Sequence, residues 1–181
     1  MVNLLMAIMA GLCFVLSFRV NQLLDDFTLF SPGISLLFVP AGVKLLFVLV
    51  GGMPAIAGLL AAGVYLGVGI WPDKSFLPIF YFAFVSLMTY SVSVYFVMRS
   101  LKIDRDLSNL RYWHIVLLSL TASVTNGIVH NFLYMTQDVT APHELWLKAA
   151  AMSFGDFMGC FVVVALFNLA VSQLRPKAIR G

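Results

Sequence analysis

Charged residues are scarce in this chain of 181 residues, of which Asp, Glu, Lys and Arg make up 10%. Soluble domains carry about 25% charged residues, so a water-soluble domain of this size is excluded. Hydrophobic residues make up 61%, and the mean hydropathy is +0.98. Apolar stretches recur along the whole length without strand-like alternation, which predicts an all-α, polytopic transmembrane helix bundle rather than an outer-membrane barrel.

Cysteines and catalytic motifs are equally sparse. Cys13 and Cys160 lie in different apolar runs, with no C-x-x-C and no His/Cys cluster at zinc spacing. We interpret both as small buried apolar residues and predict no metal and no cofactor. The sequence contains no G-x-S-x-G, no H-E-x-x-H and no phosphate-binding glycine loop, so we do not expect an enzyme. The net charge of +3 needs no nucleic acid to explain it.

The apolar runs predict about six spans within a single integral membrane domain, residues 1–181, with no soluble domain. The predicted helices are Asn3 to Phe18, Ser31 to Val50, Met53 to Ile70, Phe76 to Leu101, Tyr112 to Met135 and Leu145 to Leu174. The polar segment Arg19–Phe30 is expected in water or among lipid headgroups, and Gly51-Gly52 is expected to form a tight turn. We expect helix 1 to be retained, because its first basic residue, Arg19, follows the apolar run.

Basic residues predict the orientation of the bundle. They cluster after helix 4 and in the tail: Arg99, Lys102, Arg105, Arg111, Arg175, Lys177 and Arg180. Such clusters mark the cytoplasmic side, which predicts that both termini are cytoplasmic. We expect the chain to lie in the cytoplasmic (inner) membrane of a bacterium. Because no kinase, cyclase or ATPase is present, we expect a protein partner at this basic face. The other expected partners are the lipid bilayer and a second copy of the chain in a homo-oligomer.

Two charged residues lie inside apolar runs, Lys44 in helix 2 and Asp156 in helix 6. A charge at that depth costs a few kcal/mol and marks a functional site by default. Counting from Ser31 and Leu145 at about 1.5 Å per residue, both lie roughly 16–20 Å into the bundle. They could therefore pair if helices 2 and 6 are neighbours. Alternatively, the Lys44 ammonium could extend to the headgroups.

The element Pro40-Ala41-Gly42 is predicted to break helix 2, because an internal proline removes one backbone hydrogen bond. Such breaks mark binding sites in transporters, although a simple packing kink has the same pattern. A second alternative is a short re-entrant piece followed by a half-helix.

Helix 5 carries a polar stripe that is expected to face the bundle interior: Thr121, Ser123, Thr125, Asn126, His130 and Asn131. Asn126 and His130 are four residues apart and share a face. The stripe fits either interhelical hydrogen bonds or a hydrated cavity in which His130 senses pH or binds a ligand.

Small residues spaced four apart predict close helix packing, within the bundle or between protomers. The pairs are Gly58 with Ala62, Gly63 with Gly67, and Gly155 with Gly159.

Three motifs in order resemble the membrane-associated sensor family called MASE, type one. They are Leu36-Leu37-Phe38-Val39-Pro40-Ala41-Gly42, then Gly51-Gly52-Met53-Pro54-Ala55-Ile56, then Gly155-Asp156-Phe157-Met158-Gly159. The likeness covers about residues 30–168. It implies a sensor module, although such modules are usually fused to kinases or cyclases and Lys44 stands where an apolar residue is expected.

Three functions agree with these features. The first is a sensor or accessory protein that binds a ligand or partner within the bundle and signals through separate proteins. The second is the substrate-binding membrane subunit of a vitamin or metal uptake transporter, which would also lack an ATPase. The third is a structural assembly factor in which Lys44 and Asp156 only specify helix pairing.

Overall fold

The computed structural model describes residues 1–174, with side chains through residue 169. The helices are α1 (Val2–Gln22), α2 (Asp25–Thr28), α3 (Val39–Ile70), α4 (Phe76–Ser100), α5 (Tyr112–Thr136) and α6 (Leu145–Leu174). A short antiparallel hairpin, β1 (Leu29–Ser31) and β2 (Ile34–Ser35), precedes α3, and a 3-10 turn (Pro142–Glu144) precedes α6. Every helix but α2 is long and apolar enough to cross a membrane, so the prediction of an all-α, multi-pass bundle is confirmed in this coarse form.

The predicted helices 4, 5 and 6 match α4, α5 and α6 to within one residue at each end. Helix α1 continues a full turn beyond the predicted Phe18, to Gln22. Part of the segment Arg19–Phe30 is therefore helical, and Asn21 is buried rather than in water. A buried amide needs a hydrogen-bond partner, and the start of α3 provides one.

Helix α3 consists of two arms that run in opposite directions. Gly52 has φ 54° and ψ −145°, outside the helical region, so the predicted turn at Gly51-Gly52 is present. Phe38, directly before the first arm (residues 39–51), lies beside Phe18 of α1, and Lys44 within that arm lies beside Phe14. In the second arm (residues 53–70), Gly58 faces Ala7 and Ala62 lies near Gly11. The first arm is therefore antiparallel to α1, and the second arm is parallel to it.

The predicted helix from Ser31 to Val50, broken at Pro40-Ala41-Gly42, is wrong. Residues 31–38 are not helical, and α3 begins at Val39 with Pro40 in its first turn. Proline fits that position because a first-turn N–H has no partner within the helix anyway. Ala41 and Gly42 are buried, and a Cβ added to Gly42 would meet Gly159 and Val163 of α6. The element thus starts a helix instead of breaking one.

Residues 35–38, hereafter the inserted segment, enter the bundle as non-helical backbone that starts at the last residue of β2. The Phe38 N–H donates to the carbonyl of Gly155 at 3.0 Å, and the Val39 N–H donates to Oδ1 of Asn21 at 2.9 Å. A Cβ on Gly155 would overlap the Ser35 carbonyl, and a Cβ on Gly159 would overlap that of Phe38. The pair Gly155-x-x-x-Gly159 therefore leaves space for the non-helical backbone of the inserted segment. Such backbone is tolerated at membrane depth only inside protein.

The other small-residue pairs seat helices, as predicted. Gly58 and Ala62 pack on α1, whereas Gly63 and Gly67 face Ala83 and Ile79 of α4.

The six segments (α1, the two arms, α4, α5 and α6) alternate in direction. The hairpin and Trp71 lie at one end of the bundle, called the hairpin end. The Gly51-Gly52 turn and loop 101–111 lie at the other, called the turn end.

Close packing at Gly155 gives a first testable prediction. Gly155→Ala should lower the free energy of unfolding by about 1–3 kcal/mol, because the added methyl displaces the inserted segment. The matched control is Gly69→Ala, since a Cβ at Gly69 meets nothing within 4 Å and alanine favours helix by about 1 kcal/mol. Unfolding of both variants would be followed in one detergent. If Gly155→Ala is as stable as the unaltered protein, or more stable, the close packing of the inserted segment on Gly155 is contradicted.

Candidate functional site

A cavity of about 410 Å³ extends into the bundle from the hairpin end, within the size range of small-molecule sites. Exposed residues at its rim are Gln22, Pro32 and Gly33, and residues at its deep end are Lys44 and Asp156. Apolar and aromatic side chains form most of the wall: Phe14, Phe18, Phe38, Leu59, Leu66, Trp71, Ile79 and Phe82. The cavity therefore combines an apolar body with a charged floor.

Lys44 occupies one side of this floor, on the first arm of α3. It is 5% exposed, so it is buried and does not extend to the headgroups. Its Nζ donates to the Ser86 hydroxyl at 2.6 Å and lies 4.6 Å from the ring centroid of Tyr90. The rings of Phe14 and Phe38 lie within 6 Å of the same ammonium. Aromatic faces attract a desolvated cation, which helps to hold the charge at this depth.

Asp156, on α6, occupies the other side and is 2% exposed. Its Oδ2 accepts hydrogen bonds from the Tyr90 hydroxyl at 3.1 Å and from Nδ2 of Asn126 at 2.6 Å. The Thr89 hydroxyl in turn donates to Oδ1 of Asn126 at 3.0 Å. A buried carboxylate requires such donors. The network joins α4, α5 and α6 around one atom.

Lys44 and Asp156 face the same cavity without forming a direct ion pair. Within the described side chains, the one contact of a basic nitrogen with a carboxylate inside 4.0 Å joins Lys148 to Glu144, at 3.0 Å. Tyr90 links the two charges instead, because its ring lies beside Lys44 and its hydroxyl bonds Asp156. The α3 and α6 helices are neighbours, as the pairing hypothesis required, but the two charges make no direct contact within 4.0 Å.

Three residues of the predicted polar stripe on α5, Asn126, His130 and Asn131, divide into two groups. Asn126 and His130 line the cavity, and Nδ1 of His130 is buried with no hydrogen-bond partner among the described residues. The His130 ring packs on Phe82 and Tyr134. Asn131 lies outside the lining, where its Nδ2 donates to the carbonyl of Gly127 at 2.9 Å. Of the residues predicted to bind a ligand or to be buried polar groups, Asn131 does not line the cavity and four do: Lys44, Asn126, His130 and Asp156.

Sequence reasoning missed the contribution of α4. Ser86, Thr89 and Tyr90 bond Lys44, Asn126 and Asp156 respectively, as described above. Together with Ser93 they recur at spacings of three and four within an otherwise apolar helix, which places them on one face. That spacing could have revealed the stripe. Asn21 carried no comparable signal, because it follows the predicted end of helix 1.

The predicted partner face lies at the turn end, away from the cavity. Arg99, Lys102, Arg105 and Arg111 are all exposed. Loop 101–111 has a defined shape, since Nδ2 of Asn109 donates to the carbonyl of Lys102 at 2.9 Å and Oδ1 accepts from the Asp104 N–H at 3.0 Å. Arg175 and Lys177, also assigned to this face, lie outside the described residues.

Removing the Tyr90 hydroxyl tests the network. Tyr90→Phe should lower the free energy of unfolding by about 1.5–3 kcal/mol, because a buried carboxylate loses a donor while the ring beside Lys44 remains. The control is Tyr95→Phe on the same helix, whose exposed hydroxyl bonds Arg99 at 3.0 Å and should matter little. Unfolding in detergent would be measured for both. Equal losses would argue against a special role for Tyr90.

Comparison of the chain with protein-family models, with curated proteins and with solved structures finds no match in any of the three. The likeness to the membrane-associated sensor family therefore rests on the order of three motifs.

Proposed function

We propose that this chain is a multi-pass protein of the bacterial inner membrane that binds a small ligand in the cavity and signals through a separate protein. The observation that carries the proposal is the pair of buried, unpaired charges, Lys44 and Asp156, at the floor of a cavity. Buried charges in membrane proteins are costly and mark ligand or ion sites. If these charges served helix pairing alone, a direct contact between them would be expected.

Both arms of α3 cross the membrane in this proposal, giving six crossings. The first arm, residues 39–51, is roughly 20 Å long at 1.5 Å per residue, shorter than a hydrocarbon core of about 30 Å. The inserted segment completes that crossing. The turn end faces the cytoplasm because it carries Arg99, Lys102, Arg105 and Arg111, and both termini lie on that side. The cavity then opens outward.

The first arm connects the cavity to the cytoplasmic side. Lys44 lies near its middle, and Gly42 packs on Gly159 of α6. Near its far end, Val48 belongs to the same apolar cluster as Ile103 of loop 101–111. A ligand that contacts Lys44 would favour one packing of the first arm against α6 over another. The loop that carries the basic partner face would then change with it.

The outward opening of the cavity also favours a second candidate, the substrate-binding membrane subunit of a vitamin or metal uptake transporter. In that case the occupied cavity would be emptied by an energising module with its own ATPases. The third candidate, an assembly factor, predicts that the charge swap Lys44→Asp with Asp156→Lys restores function. Our proposal expects the swap to fail, because a lysine at position 156 would replace the acceptor of two hydrogen bonds with a donor.

The identity of the partner separates these candidates. The tagged protein would be purified from native membranes in mild detergent, and accompanying proteins would be identified by mass spectrometry. We expect a kinase or a cyclase. A pair of transport ATPases would favour the uptake subunit instead. A variant that replaces Arg99, Lys102, Arg105 and Arg111 by Gln serves as the control, and it should lose the partner while remaining folded.

The charge on Asp156 should control the signal. We expect Asp156→Asn to abolish the response of the partner in proteoliposomes, because the amide removes the negative charge while keeping the side-chain shape. The matched control is Asp138→Asn, in the loop at the hairpin end, which should signal normally. If Asp156→Asn retains normal stability and leaves the partner's output unchanged, the sensor proposal fails.

A further inference from the structure

The residues at the cavity floor have unused hydrogen-bonding capacity. The Lys44 ammonium has three N–H donors, and Ser86 accepts one of them. Both hydrogen bonds to Asp156 end on Oδ2, and no described residue bonds Oδ1. Buried polar groups are almost always satisfied. These free positions on Lys44 and Asp156 indicate a polar ligand.

The two charges are held apart by the protein. Opposite charges attract strongly where water is excluded, so an unrestrained lysine would move onto the carboxylate. Here Ser86 accepts a hydrogen bond from the ammonium, Asn126 donates one to the carboxylate, and Tyr90 contacts both groups. The arrangement keeps one positive and one negative group available at the same cavity. Such preorganisation favours a ligand that meets both at once.

Charge matching narrows the chemistry of that ligand. A simple anion would bond Lys44 and be repelled by Asp156. A simple cation would bond Asp156 and be repelled by Lys44. A neutral apolar compound would displace water from both charges without replacing its hydrogen bonds, which is costly. A compound with both an anionic and a cationic group satisfies both residues. The aromatic and aliphatic wall above them suits an apolar body.

We propose that the cavity binds a small zwitterion with an apolar body, whose carboxylate contacts Lys44 and whose ammonium contacts Asp156. This inference rests on the ligand-binding function proposed above and adds the class of ligand. Hydrophobic α-amino acids have this chemistry, and the exposed rim at the hairpin end gives them a route from outside the cell.

Three compounds that share one phenyl ring test the inference on the full chain in lipid nanodiscs. L-phenylalanine carries both charges, 3-phenylpropionate lacks the ammonium, and 2-phenylethylamine lacks the carboxylate. Binding would be measured by isothermal titration, with L-leucine as a second zwitterion. We expect a zwitterion to bind at least about tenfold more tightly than either single-charge compound, since a hydrogen bond to a charged group contributes roughly that factor or more.

Single substitutions test which residue binds the carboxylate of the ligand and which binds its ammonium. Lys44→Met should remove the preference for L-phenylalanine over 2-phenylethylamine, and Asp156→Asn should remove its preference over 3-phenylpropionate. Lys148→Met, which removes a lysine paired with Glu144, is the control and should preserve both preferences. The three compounds on the unaltered protein decide the matter even if a variant fails to fold.

Two results would overturn the inference: no binding of either zwitterion by the folded protein, or a single-charge compound binding within about threefold of L-phenylalanine. Tight binding of 3-phenylpropionate or 2-phenylethylamine would leave the ligand-binding function in place and reject only the zwitterion. The sensor proposal fails separately, if the partner ignores Asp156→Asn.

Discussion

The architecture depends on a few hydrogen bonds that allow irregular backbone to lie inside the bundle. Residues 35–38 have no helix to satisfy their peptide groups, and lipid offers no donors or acceptors. Gly155 provides a carbonyl to Phe38, and Asn21 provides another acceptor to Val39. Because the inserted segment is anchored there, α3 begins well inside the bundle, and its first arm brings Lys44 beside Tyr90.

The need to satisfy buried polar groups also explains the polar network around Asp156. A carboxylate away from water needs donors from several directions. Tyr90 from α4 and Asn126 from α5 bond the carboxylate of α6, so three helices share one polar centre. Each helix is otherwise apolar enough to lie in lipid. The network therefore fixes the relative rotation of helices whose apolar surfaces alone would specify it weakly.

Hydropathy was sufficient to predict α4, α5 and α6 and to single out Lys44, Asp156, Asn126 and His130. It failed at residues 31–38, because an apolar run has the same composition whether it is helical or inserted as irregular backbone. Pro40 was ambiguous for the same reason, since proline is suited to a helix start as well as to a kink. The partner of Phe38 lies more than a hundred residues away in the sequence, at Gly155, where no local pattern could reveal it.

The opposite charges at the cavity floor affect how ligand binding depends on the membrane potential. Moving one elementary charge through a potential of 100 mV involves about 2.3 kcal/mol. Lys44 and Asp156 both contact Tyr90 and so lie at similar depth, where their couplings to the transmembrane field largely cancel. A ligand without net charge adds no further coupling to the field. With the proposed outward opening and the proposed zwitterionic ligand, occupancy of the cavity would depend on the ligand concentration outside the cell and hardly on the membrane potential.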